Sequence, residues 1–314
     1  MTRSRHWLIA MAAIALLALF CISACGQDQI PELAEVPSSL PQLQRDALNK
    51  QRAALQAERE ALKARVDAHN QKLAPKDSPE EQALRAEAEE LKAEIQKHLE
   101  ASRAFNLAVA FARRLHDAGG QGLPVTAPIT NDTGHRSAYD YAKVINQFEV
   151  EESERYRPGD DTYCNIFAWD VTRAMGAEIP HWVLKQDRGS SAVDKDGEFA
   201  VEISKRDELN VNATVKWLKE YGERNGWRRV DARMAQQMAA EGHPAVAVWA
   251  NPRGGHGHIA MVRPGSVPHE TSRGPKGVAI AQAGGEPLVL DATHLTQGFN
   301  DPKLRKAVQY WYHD

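Results

Sequence analysis

The chain has 314 residues, a formal net charge of -3 and an isoelectric point near 6.5, and this near-neutral balance excludes the strongly basic surface that attracts nucleic acid. Its hydrophobic fraction of 42% is sufficient for an ordinary core, and glycine and proline are too few to indicate disorder throughout. The length predicts two structural units.

The first residues have the layout of a secretory signal. Arg3 and Arg5 provide a positive start, and an apolar run from Trp7 to Ala24 follows. Positive, apolar and small-residue regions in this order are typical of a signal peptide, which we assign to residues 1–24. The alternative is an uncleaved transmembrane anchor, because the run is almost long enough to cross a bilayer.

A cysteine stands where the small residues end. Residues 22–26, Ile-Ser-Ala-Cys-Gly, resemble a bacterial lipobox, in which the signal is cut before a cysteine that receives lipid. The resemblance implies lipidation of Cys25 and attachment to a membrane of the cell envelope. Gly26 stands where an aspartate would hold a lipoprotein of enteric bacteria at the inner membrane, so we expect the outer membrane, with the protein facing the periplasm.

The chain contains three cysteines, Cys21, Cys25 and Cys164. Signal cleavage would remove Cys21 and lipid would consume Cys25, which leaves Cys164 as a lone thiol in an oxidising compartment. One explanation is a small buried core residue, which is common for cysteine. The other is a catalytic nucleophile.

Residues 25–41 are polar and contain three prolines, which predicts a tether between the lipid and the body of the protein. The composition then changes to alanine, leucine, glutamate, lysine, arginine and glutamine, which are strong helix formers. Leu48, Leu55 and Leu62 repeat at intervals of seven, as expected for one apolar stripe of a long helix.

A second long helix is predicted after Pro75. Ser78, Pro79 and Glu81 have the spacing of a helix cap, a first-turn proline and a capping-box partner. Two long helices joined by a short turn form an antiparallel hairpin, which we assign to residues 42–119. We assign it no chemistry: it is a spacer, a dimerisation element or a docking surface for another envelope protein.

The remaining chain reads as a linker region, 120–156, followed by an α+β domain, 157–314. Predicted helices come first and predicted strands follow, an order that favours helices packed on an antiparallel sheet. The predicted helices cover 164–175, 212–225 and 231–241, and the predicted strands cover 245–250, 258–263, 278–283 and 307–312.

A turn-forming stretch leads directly into the first of these helices. Asp161 or Thr162 is suited to cap it, which places Cys164 in the first turn, and apolar residues follow at helical spacing. The exposed amides and dipole at a helix start stabilise an anion, and thiols placed there have pKa values lowered to about 3.5–7.5. Cys164 is therefore chemically suited to be a nucleophile.

A glycine-rich turn, Gly-Gly-His-Gly-His at 254–258, delivers His258 to the start of an apolar strand. A cysteine nucleophile needs a base held within hydrogen-bond reach, and a strand holds a histidine rigidly. His256 is the rival base. A metal-binding or merely flexible loop is the other interpretation, although two histidines without nearby carboxylates make a poor zinc site.

Gln282 is the one polar side chain of the next predicted strand. A catalytic base usually needs an orienting partner for its other ring nitrogen, and an amide oxygen can accept that hydrogen bond. The alternative places Gln282 on the solvent face of an edge strand, and the sequence favours neither.

These three segments, in this order, resemble the papain-like cysteine peptidoglycan hydrolases, a group that includes the CHAP amidases and the NlpC-type endopeptidases. Residues 257–262, Gly-His-Ile-Ala-Met-Val, are similar to the Gly-His-Val-Ala-Val-Val strand of that group, and 281–284, Ala-Gln-Ala-Gly, to a segment seen in relatives. The resemblance covers roughly 157–312. It departs from the NlpC pattern at 163–166, where Tyr-Cys-Asn-Ile replaces Asp-Cys-Ser-Gly, so the scissile bond stays open.

The resemblance implies a papain-like fold and a catalytic set of Cys164, His258 and Gln282 that cleaves amide bonds of peptidoglycan, without a cofactor or metal. It implies that Tyr163 and Asn165, the neighbours of the nucleophile, contact substrate. The expected partners are peptidoglycan, the membrane through the lipid, and an envelope protein at the hairpin, with no nucleic acid. Two alternatives remain: a non-catalytic binding or scaffold lipoprotein, and a transglutaminase-like transferase that uses the same Cys-His pair.

Overall fold

The computed structural model describes residues 30–40, 42–72, 74–75, 77–116, 122–159, 162–265, 270–271, 274–275, 277–285 and 295–314. The predicted signal peptide and the predicted lipidation site, Cys25, lie outside these residues. The chain divides into two compact units, 1–110 and 111–314. Among the described residues, no helix combines the length and the apolar character that crossing a bilayer requires.

The first unit contains an antiparallel pair of long helices, α1 (Gln42–Asn70) and α2 (Pro79–His116), the second of which extends past the division. Ion pairs across the seam show the direction, since Glu58 meets His98 while Lys72 meets Glu87. The cap predicted for α2 is confirmed, because the Ser78 hydroxyl accepts a hydrogen bond from the amide of Glu81. The seam buries the leucines of the predicted stripe together with residues of α2: Leu48, Leu55, Leu62, Val66, Leu91, Ile95 and Leu99.

The described part of the predicted tether is held to the first unit. The Asn106 side chain accepts a hydrogen bond from the amide of Ala34 at 2.7 Å and donates one to the carbonyl of Glu32 at 2.8 Å. Leu40 is buried, although the sequence suggested only a polar spacer. Residues 30–40 therefore differ from a free tether, because one asparagine satisfies the backbone of an extended segment.

Residues 122–156 contribute to the second unit's core, which corrects the interpretation of 120–156 as a linker. Helix α3 (Ala138–Asn146) is capped by Ser137, whose hydroxyl accepts a hydrogen bond from the amide of Asp140. The buried side chains of α3 and of the following turn include Tyr141, Val144, Ile145 and Phe148. Their spacing of three and four residues gives one apolar helix face, which packs inward.

The second unit is α+β, and its main sheet is antiparallel throughout, as the sequence predicted. Its helices after α3 are α4 (Cys164–Ala174), α5 (Val211–Trp217), α6 (Ala232–Ala240), α7 (Leu295–Gly298) and α8 (Pro302–Arg305). Its strands are β1 (Trp182–Leu184), β2 (Arg206–Glu208), β3 (Trp227–Val230), β4 (Ala245–Trp249), β5 (His258–Val262), β6 (Glu270–Thr271), β7 (Gly274–Pro275), β8 (Ile280–Ala281) and β9 (Gln309–His313).

The main sheet has the order β3-β9-β4-β5-β8, and two small hairpins, β1-β2 and β6-β7, stand apart from it. Strand β9, close to the chain's end, lies between β3 and β4, so the last residues complete the sheet. The predicted helix 212–225 is only partly α-helical: α5 continues as a π turn (Leu218–Gly222) and a 3-10 turn (Glu223–Asn225), and Gly226 then ends it with a positive φ of 83°.

Helix α4 packs against β5 and is buried on nearly every side. Its inner surface carries one charge, Asp170, which meets the equally buried Arg155 in a two-pronged contact: Nε donates to Oδ2 at 2.7 Å and Nη2 to Oδ1 at 2.9 Å. The Tyr156 hydroxyl donates to the same carboxylate at 2.6 Å. A buried charge is tolerated only when paired and hydrogen-bonded, so this network fixes α4 in one position.

Candidate active site

Cys164 is the first residue of α4, as predicted, but the cap differs from the prediction. Tyr163 is the N-cap residue, and its side chain makes no capping hydrogen bond; Thr162 lies before it, and Asp161 is outside the described residues. The first-turn amides therefore remain available to an anion. The amide of Asn165 already donates to the Cys164 sulfur, and so does the amide of Ile259 at the start of β5.

His258 begins strand β5, where it pairs with Trp249 across the β4–β5 hairpin. The glycine-rich loop before it is clamped by Asn212, whose carbonyl oxygen accepts from the amide of Asn251 at 2.8 Å and whose amide group donates to the carbonyl of Gly255 at 2.8 Å. Gly257 makes this approach possible, since a Cβ there would lie 2.7 Å from Asn212 Oδ1 and from a backbone oxygen. The loop therefore delivers His258 in a fixed orientation.

The structure brings Cys164, His258 and Gln282 together. The Cys164 thiol and the His258 imidazole are in contact, since each shifts the pKa of the other, and His258 Nε2 lies 2.7 Å from Gln282 Oε1. A carbonyl oxygen can only accept, so Nε2 carries the hydrogen in this contact, and Nδ1 is left to receive the thiol proton. This is the arrangement that a cysteine nucleophile, its base and an orienting amide require.

The two titrating groups shift each other's pKa in opposite directions. Burial favours the neutral thiol, but hydrogen bonds from His258 and from two backbone amides outweigh it and hold the pKa of Cys164 below its ordinary value. Burial likewise disfavours the imidazolium, but the contacts with Cys164 and Gln282 raise the pKa of His258 above its ordinary value. Both shifts act in the direction that favours a thiolate and an imidazolium.

The imidazole is enclosed by groups that limit its rotation. The Phe299 ring lies 4.8 Å from it, centroid to centroid, and Phe299 is itself buried. A Cβ on Gly284 would lie 3.2 Å from His258 Cε1, and one on Gly298 would lie 2.1 Å from Gln282 Oε1. Two glycines thus leave the space in which the His258–Gln282 pair sits.

Cys164 lies on the wall of a cleft of about 550 Å³, although only 2% of its surface is exposed. Tyr163 and Asn165, the two predicted substrate contacts, also line the cleft, and their role stays a prediction. His256 is exposed on the loop and faces the same cleft. The cleft is lined by Gly122, Thr162, Tyr163, Cys164, Asn165, Ile166, Glu208, Asn210, Val211, Gly255, His256 and Gly257.

Sequence reasoning missed Glu208, which lines the same cleft from β2. Glu208 Oε1 lies 3.1 Å from Nε2 of His181, whose side chain is fully buried. This contact lowers the pKa of Glu208 below its ordinary value. The Asn165 amide group donates to the carbonyl of Leu209 at 3.0 Å and lies 3.3 Å from His181 Nδ1.

Among the described residues, no group of three histidine, cysteine, aspartate or glutamate side chains is arranged to hold a metal ion. No protein-family profile, no curated protein and no solved structure matches this chain.

Proposed function

We propose that this protein is a cell-envelope lipoprotein that hydrolyses amide bonds in the peptides of peptidoglycan by a Cys-His mechanism. The observation that carries the proposal is the arrangement behind the cleft: the Cys164 thiol on the cleft wall is in contact with His258, and His258 Nε2 lies 2.7 Å from Gln282 Oε1. A buried structural cysteine requires neither a hydrogen-bonded imidazole nor an amide oriented behind it.

In the first half of the reaction, the Cys164 thiolate attacks the carbonyl carbon of the scissile amide. The carbon–nitrogen bond then breaks, and the His258 imidazolium gives its proton to the leaving amine, so that a thioester to Cys164 remains. The backbone amide of Cys164 lies at the start of α4, where amide hydrogens have no partner within the helix. It is therefore suited to donate to the oxyanion.

In the second half, His258 accepts a proton from a water molecule, which attacks the thioester carbonyl. The carbon–sulfur bond breaks, the carboxylic acid leaves, and the thiol of Cys164 is regenerated. The contact between His258 and Gln282 keeps the same ring nitrogen directed at the sulfur through both halves. No cofactor enters these steps.

Two features support a papain-like domain and a wall substrate. The nucleophile begins a helix, and the base and its orienting amide follow on β5 and directly after β8, which are adjacent antiparallel strands. This order agrees with the resemblance of 157–312 to papain-like cysteine peptidoglycan hydrolases. The lipobox-like residues 22–26 support a resident envelope protein, for which peptidoglycan is the amide polymer within reach.

The test is digestion of purified sacculi by the wild-type protein, Cys164→Ala, His258→Ala and the neighbouring control His256→Ala. We expect soluble fragments from the wild type and from the His256 variant, and none from the other two. Mass spectrometry of fragments made from defined muropeptides identifies the bond, and an added primary amine separates hydrolysis from transfer. Full activity of Cys164→Ala would refute the mechanism. If the wild type and all three variants bind sacculi equally well and none cleaves them, a scaffold role would be favoured.

A further inference from the structure

We infer that Glu208 forms an anionic subsite that selects amide substrates carrying a positively charged amine near the scissile bond. The inference rests on the proposed function, because Glu208 and Cys164 line the same cleft. Among the described residues of that lining, Glu208 is the one carboxylate, and none is lysine or arginine. A molecule bound in this cleft can therefore contact both the nucleophile and the negative charge.

The contacts behind Glu208 involve His181 and, through it, Asn165. The Leu209 carbonyl can only accept, so its bond with Asn165 fixes which end of that amide carries the hydrogens. The same amide nitrogen lies 3.3 Å from His181 Nδ1, which must then act as the acceptor. The other ring nitrogen of His181, Nε2, then carries a hydrogen and faces Glu208 Oε1 at 3.1 Å.

Among the described residues, no lysine or arginine forms an ion pair with the Glu208 carboxylate, whose partner is His181. Arg206 is two residues earlier on β2, but its guanidinium stacks 3.2 Å from the centroid of the Phe199 ring instead of pairing with Glu208. The Glu208 side chain keeps 57% of its surface exposed, whereas His181 behind it is fully buried. A fixed and accessible carboxylate on the wall of a cleft recognises an ammonium group by charge and hydrogen bonds.

The pairing that places Glu208 also provides a matched control. Trp182 pairs with Glu208 and Val183 with Asp207 in the β1–β2 hairpin, so Asp207 is the adjacent carboxylate on the opposite face of β2. Asp207 contacts Arg188 and Lys185 at the surface and does not line the cleft. Replacing Glu208 by glutamine removes the charge that recognises the amine, whereas replacing Asp207 by asparagine leaves that recognition intact.

The test uses one muropeptide mixture in three forms: with free amines, with amines dimethylated so that they stay charged, and with amines acetylated so that they are neutral. Cleavage is compared for the wild type, Glu208→Gln, Glu208→Asp and Asp207→Asn. Glu208→Gln should lower kcat/KM about tenfold for both charged forms and leave the acetylated form unchanged. Asp207→Asn should match the wild type, and Glu208→Asp should fall between them.

Binding of the same three mixtures to the Cys164→Ala variant, with and without Glu208→Gln, separates the two proposals. If charged forms bind more tightly than the acetylated form and Glu208→Gln abolishes that difference, the subsite is supported. Absence of cleavage by the wild type would then overturn only the hydrolase proposal. Equal cleavage and equal binding of acetylated and charged forms would overturn the subsite and leave the hydrolase. An equal loss on all three forms with Glu208→Gln would also overturn it, because that pattern marks a structural role.

Discussion

Gln282 Oε1 and His258 Nε2 are 2.7 Å apart, and the strand register explains why they meet. Met261 pairs with Ala281 on the adjacent strand, so Gln282 lies opposite Ala260. Ala260 is two residues after His258, and residues two apart on a strand share one face of the sheet. The amide and the imidazole are thus neighbours on one face. Their contact fixes the ring nitrogen that faces Cys164.

We expect Gln282→Ala to lower kcat/KM by about 10- to 100-fold while the protein stays folded, because the base remains but its orientation is lost. The measurement is the initial rate on muropeptides, with circular dichroism to check the fold. Gln237→Ala is the control, since Gln237 is exposed on α6 and hydrogen-bonds Glu241. Wild-type rates for Gln282→Ala would contradict an orienting role.

Gly298→Ala tests the same contact without removing any functional group. A Cβ at 298 would lie 2.1 Å from Gln282 Oε1 and 2.7 Å from Ile280 Cδ1, so the flexible end of Gln282 must move away from His258. We expect about a tenfold fall in kcat/KM, of the same kind as for Gln282→Ala and not additive to it in the double variant. Gly285→Ala is the control, because its Cβ would meet open space. Additive losses would show that Gly298 acts elsewhere.

Much of the site could be predicted from local patterns. Helical spacing of apolar residues places Cys164 at a helix start, and a glycine-rich turn before an apolar strand places His258. The sequence left Gln282 equally suited to an exposed edge, because its partner depends on which strands are adjacent and in which register. Helix α3 has both a serine cap and apolar residues at helical spacing. It could therefore have been predicted from the sequence, although its segment was interpreted as a linker.

Glu208 could not be predicted in this way. It reaches the cleft because two three-residue strands, β1 and β2, pair across more than twenty residues of irregular chain, and neither strand has a clear alternation of apolar residues. The tautomer of His181 depends on a bond to Asn165, a contact that is equally non-local. Short polar strands take their position from tertiary packing, and local propensity does not show it.

The pKa shifts predict a bell-shaped dependence of kcat/KM on pH. Activity falls on the acid side as the pH drops through the lowered pKa of Cys164 and the thiolate gains a proton. It falls on the alkaline side as the pH rises through the raised pKa of His258 and the imidazolium loses its proton. A rate that keeps rising with pH through both limits would contradict the ion pair.

Alkylation by iodoacetamide measures the thiolate directly, with the modified residue identified by peptide mass. We expect Cys164 to react at about pH 6 in the wild type and in His256→Ala, because His258 keeps its pKa low. Burial raises the pKa of Cys164, and the contact with His258 is the largest influence that lowers it. In His258→Ala that contact is lost while the burial remains, so the pKa of the thiol rises and the reaction at this pH slows. Equal rates in all three proteins would mean that the imidazole does not stabilise the thiolate.

The buried pair of Arg155 and Asp170 holds the helix that carries the nucleophile. Asp170→Asn leaves the guanidinium of Arg155 buried without its carboxylate, which we expect to cost about 3–5 kcal/mol in the free energy of unfolding. Asp207→Asn, which breaks an exposed pair with Arg188, should cost at most about 1 kcal/mol. Urea unfolding measures both values.

A double variant separates the electrostatic part of that cost from packing. Arg155→Met with Asp170→Leu removes both charges and keeps much of the buried volume, so we expect it to be more stable than Asp170→Asn alone. The Tyr156 hydroxyl, which donates to Asp170, then loses its partner and limits the recovery. If the double variant is less stable than the single one, the network stabilises α4 through its hydrogen bonds more than through the pairing of charges.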